Sequence, residues 1–340
     1  MAKSAKRPPT PAKAARRSRA SLARIWITVV VLPVVIAAAA IYGIFRSSNA
    51  APPAPQPTPD HPALIDHVES LYNDISVYKR YDGDLMLLFG AQRLHYIESI
   101  INPNDPLELP VTYTQSMAAG ALAYPTELKS AMIIGLGGGR TSVYLHKSVP
   151  DLDFTAVELD PDVVQLGAKY FGVHPETNFA VEINDGRVHL ARTDKQYDAI
   201  LIDAYRGPFV PFHLLTTEFY KLVAAHLKPG GVAVQNVEPT TMLFDSAVAT
   251  ISAAFQHLVF LKGEDNIVIV AYNGPEKDEA TLQKQAADRQ AQYHFRYDLP
   301  TLLQNRFTPA WDHSAKALTD DFAPVEFLKA VERHNAKQQP

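Results

Sequence analysis

Four short segments in the middle of the sequence lie at the ends of runs of aliphatic residues, and each contains glycine, acidic residues or both. They are residues 133–139, 157–160, 184–187 and 200–205. Aliphatic runs of this kind are typical of buried parallel strands, whose carboxyl ends meet at one edge of a sheet. A glycine loop there lets backbone approach a ligand, and an acid about 20 residues later is where a doubly wound fold places its ribose-hydroxyl acceptor. The ordered series predicts a site for an adenosine-containing ligand.

Strands and helices are predicted to alternate from residue 113 to residue 255. This alternation indicates an α/β fold with a doubly wound parallel sheet, and two further alternating stretches after it indicate a closing hairpin. The predicted strands are 131–135, 154–158, 179–183, 197–203 and 231–237, the predicted helices are 113–122, 162–170, 217–227, 241–255 and one after Arg140, and the hairpin strands are 258–261 and 267–272.

Short alternating stretches separated by turn residues precede the main domain and predict a small N-terminal antiparallel β domain. Its strands are expected at 75–78, 85–89 and 94–97. The last 65 residues are polar and are predicted to be helical. The resulting division is a basic tail (1–24), a transmembrane helix (25–45), a Pro-rich linker (46–63), the small β domain (64–110), a Rossmann-like nucleoside-binding domain (111–275) and a polar helical C-terminal extension (276–340).

Residues 25–45 are uncharged and rich in Val, Ile and Ala. A helix of this length rises about 1.5 Å per residue and crosses a hydrocarbon layer of about 30 Å. The basic tail precedes the span, so the positive-inside rule predicts a cytoplasmic N-terminus. We therefore expect a single-pass protein of the bacterial inner membrane with a periplasmic soluble domain. A cleaved signal peptide or a twin-arginine signal at Arg16 and Arg17 is the alternative, and it also exports the domain.

Charge and cysteine content exclude several functions. The first 24 residues hold eight basic residues and no acid, which leaves 24 basic and 36 acidic residues and a formal charge of −12 for the rest. Nucleic-acid binding by the folded part is therefore not expected, because phosphate contacts need basic surface. The chain has no cysteine, which excludes disulfides, thiolate metal sites and cysteine nucleophiles. We also expect no metal site, because Asp320 and Asp321 have no further ligand at suitable spacing.

The stretch from about residue 67 to residue 272 resembles the spermidine synthase (polyamine aminopropyltransferase) family. The resemblance implies a class I methyltransferase-type Rossmann-like domain, decarboxylated S-adenosylmethionine as aminopropyl donor and a polyamine as acceptor. Family members commonly form dimers, which makes a homodimer one candidate assembly. The matching phrases are 70–78, 133–139, 157–161, 185–187, 197–203 and 214–220, and the tail at 318–326 resembles that of membrane-associated bacterial relatives.

The resemblance also implies roles for individual residues. Glu158 would accept both ribose hydroxyls, and Asp185 with the Gly186 backbone would bind the adenine. Asp203 would be the catalytic carboxylate, because an alkylammonium must be oriented and lose a proton before it can attack. The implied donor-binding residues are Asn73, Gln115, Gly135, Gly137, Gly138, Gly139, Glu158, Asp185 and Gly186, and the implied acceptor-binding residues are Tyr113 and Thr114.

Two positions depart from the family pattern. Gly138 stands where the family carries an Asp that binds the aminopropyl ammonium, and Arg206 stands where it has a second acid. An Arg there would repel a diamine. Removing the loop Asp also removes a repulsion against the carboxylate of intact S-adenosylmethionine.

The sequence is therefore consistent with three candidate functions. The first is a membrane-anchored aminopropyltransferase. The second is an S-adenosylmethionine-dependent methyltransferase, which the glycine at position 138 motivates. The third is a non-catalytic module that binds a nucleoside or polyamine, motivated by the predicted export of a domain whose ligand is normally cytoplasmic.

Overall fold

The computed structural model describes residues 57–58, 61–90, 96–205 and 210–321. The predicted basic tail, the predicted transmembrane helix and most of the predicted linker lie outside these residues, as does Arg206. Among the helices that are described, none has both the length and the apolar character needed to span a bilayer.

Four antiparallel strands form the first sheet, as predicted for the small β domain. They are β1 (Ala63–Glu69), β2 (Asp74–Lys79), β3 (Leu85–Phe89) and β4 (Tyr96–Ile101), and they pair in chain order. Strand β1 was not among the predicted strands. The buried face of this sheet packs against the helix at residues 161–170 through an apolar cluster that includes Ile75, Leu87 and Leu166.

The second sheet belongs to the α/β domain and contains eight strands within the described residues. The elements in chain order are α1 (Thr112–Ala123), β5 (Ser130–Ile134), α2 (Arg140–Ser148), β6 (Asp153–Glu158), α3 (Pro161–Tyr170), β7 (Phe179–Ile183), α4 (Gly186–Arg192), β8 (Tyr197–Ile202), α5 (Thr217–Ala225), β9 (Leu227–Val237), α6 (Phe244–Ser252), β10 (His257–Gly263), β11 (Asn266–Tyr272), α7 (Glu279–Tyr293), α8 (Leu299–Leu302) and β12 (Arg306–Phe307). The predicted alternation is confirmed, although α4 was not among the predicted helices.

Strand order places the switch point of the sheet at β5. The order is β12-β10-β11-β9-β8-β5-β6-β7, so the chain runs outward from β5 through β6 and β7 and then returns to the other side at β8. Strands β5 to β9 are parallel, and β10 and β11 form the predicted antiparallel hairpin. A doubly wound sheet binds ligands outside the carboxyl ends of its strands at such a switch point.

Strand register brings the four predicted segments together. Ile134 at the end of β5 pairs with Val157 of β6 on one side and with Ile202 of β8 on the other. The residues that follow these strand positions, Gly135, Glu158 and Asp203, therefore lie side by side at one edge. A one-residue slip would turn every side chain of a strand to the opposite face, and the apolar layers on both faces of the sheet oppose that slip.

The C-terminal extension is helical only in its first part. Helix α7 is amphipathic, but after β12 the described chain up to residue 321 has no long helix. This final segment packs back onto the α/β domain: Leu318 N–H donates to Thr250 Oγ1 at 2.8 Å, and its carbonyl accepts from Thr217 N–H at 2.8 Å. Apolar contacts with Leu215 and Ala247 hold it there.

Candidate active site

A cavity of about 720 Å³ lies at the carboxyl ends of β5, β6 and β8, and residues of β4 also line it. This volume is in the usual range for small-molecule sites. The glycine loop and each of the three predicted acids line it, namely Gly135, Gly137, Glu158, Asp185, Gly186 and Asp203.

The glycine loop turns sharply between β5 and α2. Gly135 has φ +90°, and a Cβ atom at that position would lie 2.3 Å from the Asp203 carbonyl oxygen. Only glycine combines a positive φ with such close approach to neighbouring backbone. The loop therefore brings Gly135 directly against the residue predicted to be catalytic.

Glu158 is held at the end of β6 by backbone donors. Its Oε2 accepts from Leu136 N–H at 2.8 Å, and its Oε1 accepts from Asp160 N–H at 2.9 Å. Burial raises the pKa of the Glu158 carboxyl, and these backbone hydrogen bonds oppose that rise because they stabilise the carboxylate. The carboxylate is thus fixed beside the glycine loop, with lone pairs left to accept hydroxyl groups.

Asp185 begins helix α4. Its side chain caps the helix by accepting from Val188 N–H at 2.9 Å, and its Oδ2 contacts His213 Nε2 at 2.7 Å. The hydrogen bond from His213 is the main cause that lowers the pKa of Asp185. The next residue has to be glycine, because a Cβ atom at Gly186 would lie 2.2 Å from Ile134 Cγ2. His213 also lines the cavity, and it supports Asp185 there.

Asp203 follows β8 and receives two side-chain hydrogen bonds. Asn236 Nδ2 donates to Oδ1 at 2.9 Å, and the Tyr113 hydroxyl donates to Oδ2 at 3.3 Å. Burial raises the pKa of Asp203 to about 6, and the hydrogen bonds from Asn236 and Tyr113 oppose that rise. Asp203 is therefore mostly ionised at pH 7, and each of its oxygens keeps a lone pair for a further donor.

The sequence did not predict two residues that support Asp203, namely Asn236, which contacts it directly, and Tyr205, which contacts Asn236. Asn236 lies at the end of β9, where Asn266 Nδ2 donates to its Oδ1 at 3.0 Å and fixes the orientation of its amide. The Tyr205 hydroxyl donates to the Asn236 carbonyl oxygen at 2.9 Å. A polar residue that ends a buried strand next to β8 was the available signal for Asn236.

The other predicted residues differ in their placement. Asn73 and Thr114 line the cavity, but the Thr114 hydroxyl donates to the Val111 carbonyl at 2.5 Å. Gln115 is not among the cavity residues, and its Nε2 donates to the Leu109 carbonyl at 2.9 Å. Its side chain supports the loop before α1.

Gly138 and Gly139 are not among the cavity residues either. Gly138 N–H donates to Ser99 Oγ at 2.9 Å. Gly139 has φ +65° and precedes the first residue of α2. These two glycines shape the loop, and their roles as donor-binding residues stay predictions.

The cavity wall is rich in acids. Five carboxylates line it, and the basic residues among the described lining residues are Arg140 and His213. The Arg140 guanidinium donates to the carbonyls of Phe171 and Pro106, and His213 contacts Asp185. The cavity therefore favours a ligand that carries positive charge.

Comparison with known proteins gives matches to one family over most of the chain. Residues 111–270 match the model of the spermine/spermidine synthase domain. The polyamine aminopropyltransferase of Vibrio vulnificus is 32% identical over 278 residues, which cover 78% of this chain and 91% of that protein. A probable polyamine aminopropyl transferase of Bifidobacterium longum is 34% identical over 172 residues, 50% of this chain and 36% of that longer protein. Methyltransferases are more distant relatives.

A solved structure shares the fold. A probable spermidine synthase from Corynebacterium glutamicum superposes with a TM-score of 0.59 at 19% identity, over 76% of this chain and 97% of that one.

Replacing Gly135 by Ala tests the close approach of the glycine loop to Asp203. We expect Gly135→Ala to lower the free energy of unfolding by more than the about 1 to 3 kcal/mol that an unfavourable positive φ costs, because the Cβ atom also overlaps backbone. Gly83→Ala is the matched control, since Gly83 has φ +100° with no atom within 4 Å of an added Cβ. Equal losses for the two variants in urea denaturation would contradict the packing described.

Proposed function

Because this chain belongs to the polyamine aminopropyltransferase family, we propose that it transfers an aminopropyl group from decarboxylated S-adenosylmethionine to a polyamine. The Vibrio relative supports this assignment, since the similarity extends over nearly the whole length of that protein. The site geometry supplies an independent argument. An acidic cavity with a ribose-type acid, an adenine-type acid and a buried third carboxylate suits a nucleoside that carries a cationic side chain, together with a cationic acceptor.

The observation that carries the proposal is the position of Asp203. Its carboxylate lies in the same cavity as Glu158 and Asp185, at the end of the strand next to the glycine loop. Burial raises its pKa to about 6, which makes it a better proton acceptor than an ordinary Asp while leaving it ionised at neutral pH. Tyr113 and Asn236 fix its orientation.

The chemistry follows from these groups. An acceptor ammonium first loses one proton, which Asp203 accepts, and the free amine then attacks the methylene carbon bonded to the sulfonium. The new C–N bond forms as the C–S bond breaks, and the bond's electron pair goes to sulfur. The products are methylthioadenosine, as a neutral thioether, and the extended polyamine. Holding the amine and the carbon about 3 to 3.5 Å apart and aligned contributes much of the acceleration.

We also propose that residues 25–45 anchor the protein in the bacterial inner membrane. This segment of 21 residues is uncharged and follows the eight basic residues of the tail. The positive-inside rule then favours a cytoplasmic N-terminus and a periplasmic soluble domain.

Asp203→Asn is expected to lower kcat by about 10² to 10⁴, the usual contribution of a general base.

In the wild type, kcat/KM for the acceptor should bend near pH 6 and fall about tenfold per pH unit below it, because the Asp203 carboxylate is then protonated. Tyr113→Phe should move the bend to higher pH, since it removes a hydrogen bond that lowers the pKa of Asp203.

The assay measures methylthioadenosine release from decarboxylated S-adenosylmethionine, with intact S-adenosylmethionine as a parallel donor. The exposed Asp194 offers a control in Asp194→Asn, which should match the wild type. Methyl transfer from the intact donor alone would favour the methyltransferase alternative, and ligand binding without turnover would favour the non-catalytic module.

Glu158→Gln is expected to weaken methylthioadenosine binding at least about tenfold, because hydrogen bonds to a charged acceptor contribute about 1.5 to 3 kcal/mol. Calorimetric titration of the full-length protein measures the change. Glu182 is an exposed acid on the neighbouring strand β7, so Glu182→Gln should bind as the wild type does. Unchanged affinity in Glu158→Gln would count against the ribose assignment.

Reporter fusions at the C-terminus test the membrane proposal. A reporter that is active only in the periplasm should be active, and one that fluoresces only in the cytoplasm should stay dark. Removing residues 1–45 should shift the protein from the membrane fraction to the soluble fraction. The reverse reporter pattern would overturn the proposed sidedness, and a soluble full-length protein would overturn the anchor.

A further inference from the structure

The space beside Gly138 is already filled by the small sheet. A Cβ at Gly138 would lie 2.6 Å from Ser99 Cβ, 2.8 Å from Ser99 Oγ and 2.9 Å from Phe171 Cδ1. An Asp at this loop position would therefore require β4 or Phe171 to move. The Ser99 hydroxyl instead accepts the Gly138 N–H. The ammonium-binding acid that the family carries in this loop is not only missing from the sequence but also sterically excluded.

The residue next to Ser99 brings a different carboxylate into the cavity. In the pairing of β3 with β4, Leu87 is opposite Ser99 and Leu88 is opposite Ile97, so Glu98 is the extra residue of a β-bulge. A bulge redirects side chains and is common beside active sites. Because of it, the adjacent residues Glu98 and Ser99 both line the cavity.

Among the described residues, no hydrogen bond or ion pair stabilises the Glu98 carboxylate. Burial raises the pKa of Glu98 well above its ordinary value, and the nearby Asp203 and Glu158 carboxylates raise it further. A half-buried carboxylate in this setting gains strongly from a bound cation. The described basic residues of the cavity have other partners, since the Arg140 guanidinium donates to the Phe171 carbonyl and His213 contacts Asp185.

Glu98 shares the cavity with two other acids that are close enough to affect its pKa. It interacts electrostatically with Glu158, which the proposed function assigns to the donor ribose, and with Asp203, which it assigns to the acceptor amine. Its backbone also passes the glycine loop, since its carbonyl lies 3.9 Å from the Cβ position of Gly137. With the ribose at Glu158 and the acceptor amine at Asp203, the proposed function would bring the donor's aminopropyl group close to Glu98.

We propose that the Glu98 carboxylate binds the terminal ammonium of the donor's aminopropyl group and replaces the acid that the glycine loop lacks. The inference rests on the proposed function and deepens it. It also predicts that a chain with glycine at position 138 still discriminates between the two donors. The carboxylate of intact S-adenosylmethionine would lie near Glu98 and be repelled, whereas the decarboxylated donor presents only a cation there.

Calorimetric titration of the full-length protein with two ligands tests this role. Glu98→Gln should weaken binding of decarboxylated S-adenosylmethionine by about tenfold to a hundredfold, the range for a charge-assisted hydrogen bond. Methylthioadenosine lacks the ammonium, so its affinity should not change. The preference for the decarboxylated over the intact donor should fall as well. Glu69→Gln, at an exposed acid of the same sheet, is the control.

The outcomes separate this inference from the proposed function. The thermal midpoint of Glu98→Gln should equal or exceed that of the wild type, because the variant removes an unpaired, half-buried carboxyl. An equal loss of affinity for both ligands would assign Glu98 a structural role and overturn the inference. So would unchanged donor affinity, or a rise in the acceptor KM alone. If the wild type binds neither ligand, the nucleoside site itself is wrong and the proposed function falls with it.

Discussion

The in-register pairing of three parallel strands determines the site. Ile134, Val157 and Ile202 are neighbours in the sheet, so the next residue of each chain segment emerges at the same edge. Gly135, Glu158 and Asp203 follow these positions and line one cavity. The apolar layers on both faces of the sheet stabilise that register, because a slip by one residue would turn every side chain of a strand to the opposite face and disrupt the packing of both layers. The same strand register therefore determines both the packing of the core and the positions of the site residues.

Buried carboxylates are the consequence of this arrangement. Asp203 and Glu158 are taken out of water, which raises the pKa of each, and both are partly compensated by donors that the fold supplies. Glu158 receives backbone N–H groups, whereas Asp203 receives Asn236 and Tyr113. Glu98 receives neither kind of donor within the described residues. A cationic ligand, such as one with a sulfonium and an alkylammonium, would stabilise the ionised forms of these carboxyl groups.

Some of the site could be read from the sequence because its residues follow strands with strong aliphatic patterns. Glu158, Asp185 and Asp203 belong to that class, and all three line the cavity. Gln115 was placed by resemblance alone, and its side chain turns to the Leu109 carbonyl instead. The position of a residue in a helix indicates only roughly where its side chain points. The hydrogen-bond partner of a long side chain such as that of Gln115 therefore cannot be predicted from the sequence.

The sequence by itself determined the α/β architecture, the small antiparallel sheet before it and the edge at which the acids gather. These follow from local periodicity and from the rule that parallel strands share a ligand-binding edge. Only the tertiary structure decided that β4 fills the space at Gly138, that a bulge turns Glu98 into the cavity, and that His213 contacts Asp185. Each of these depends on atoms from segments far apart in the chain, whose contacts leave no local pattern in the sequence.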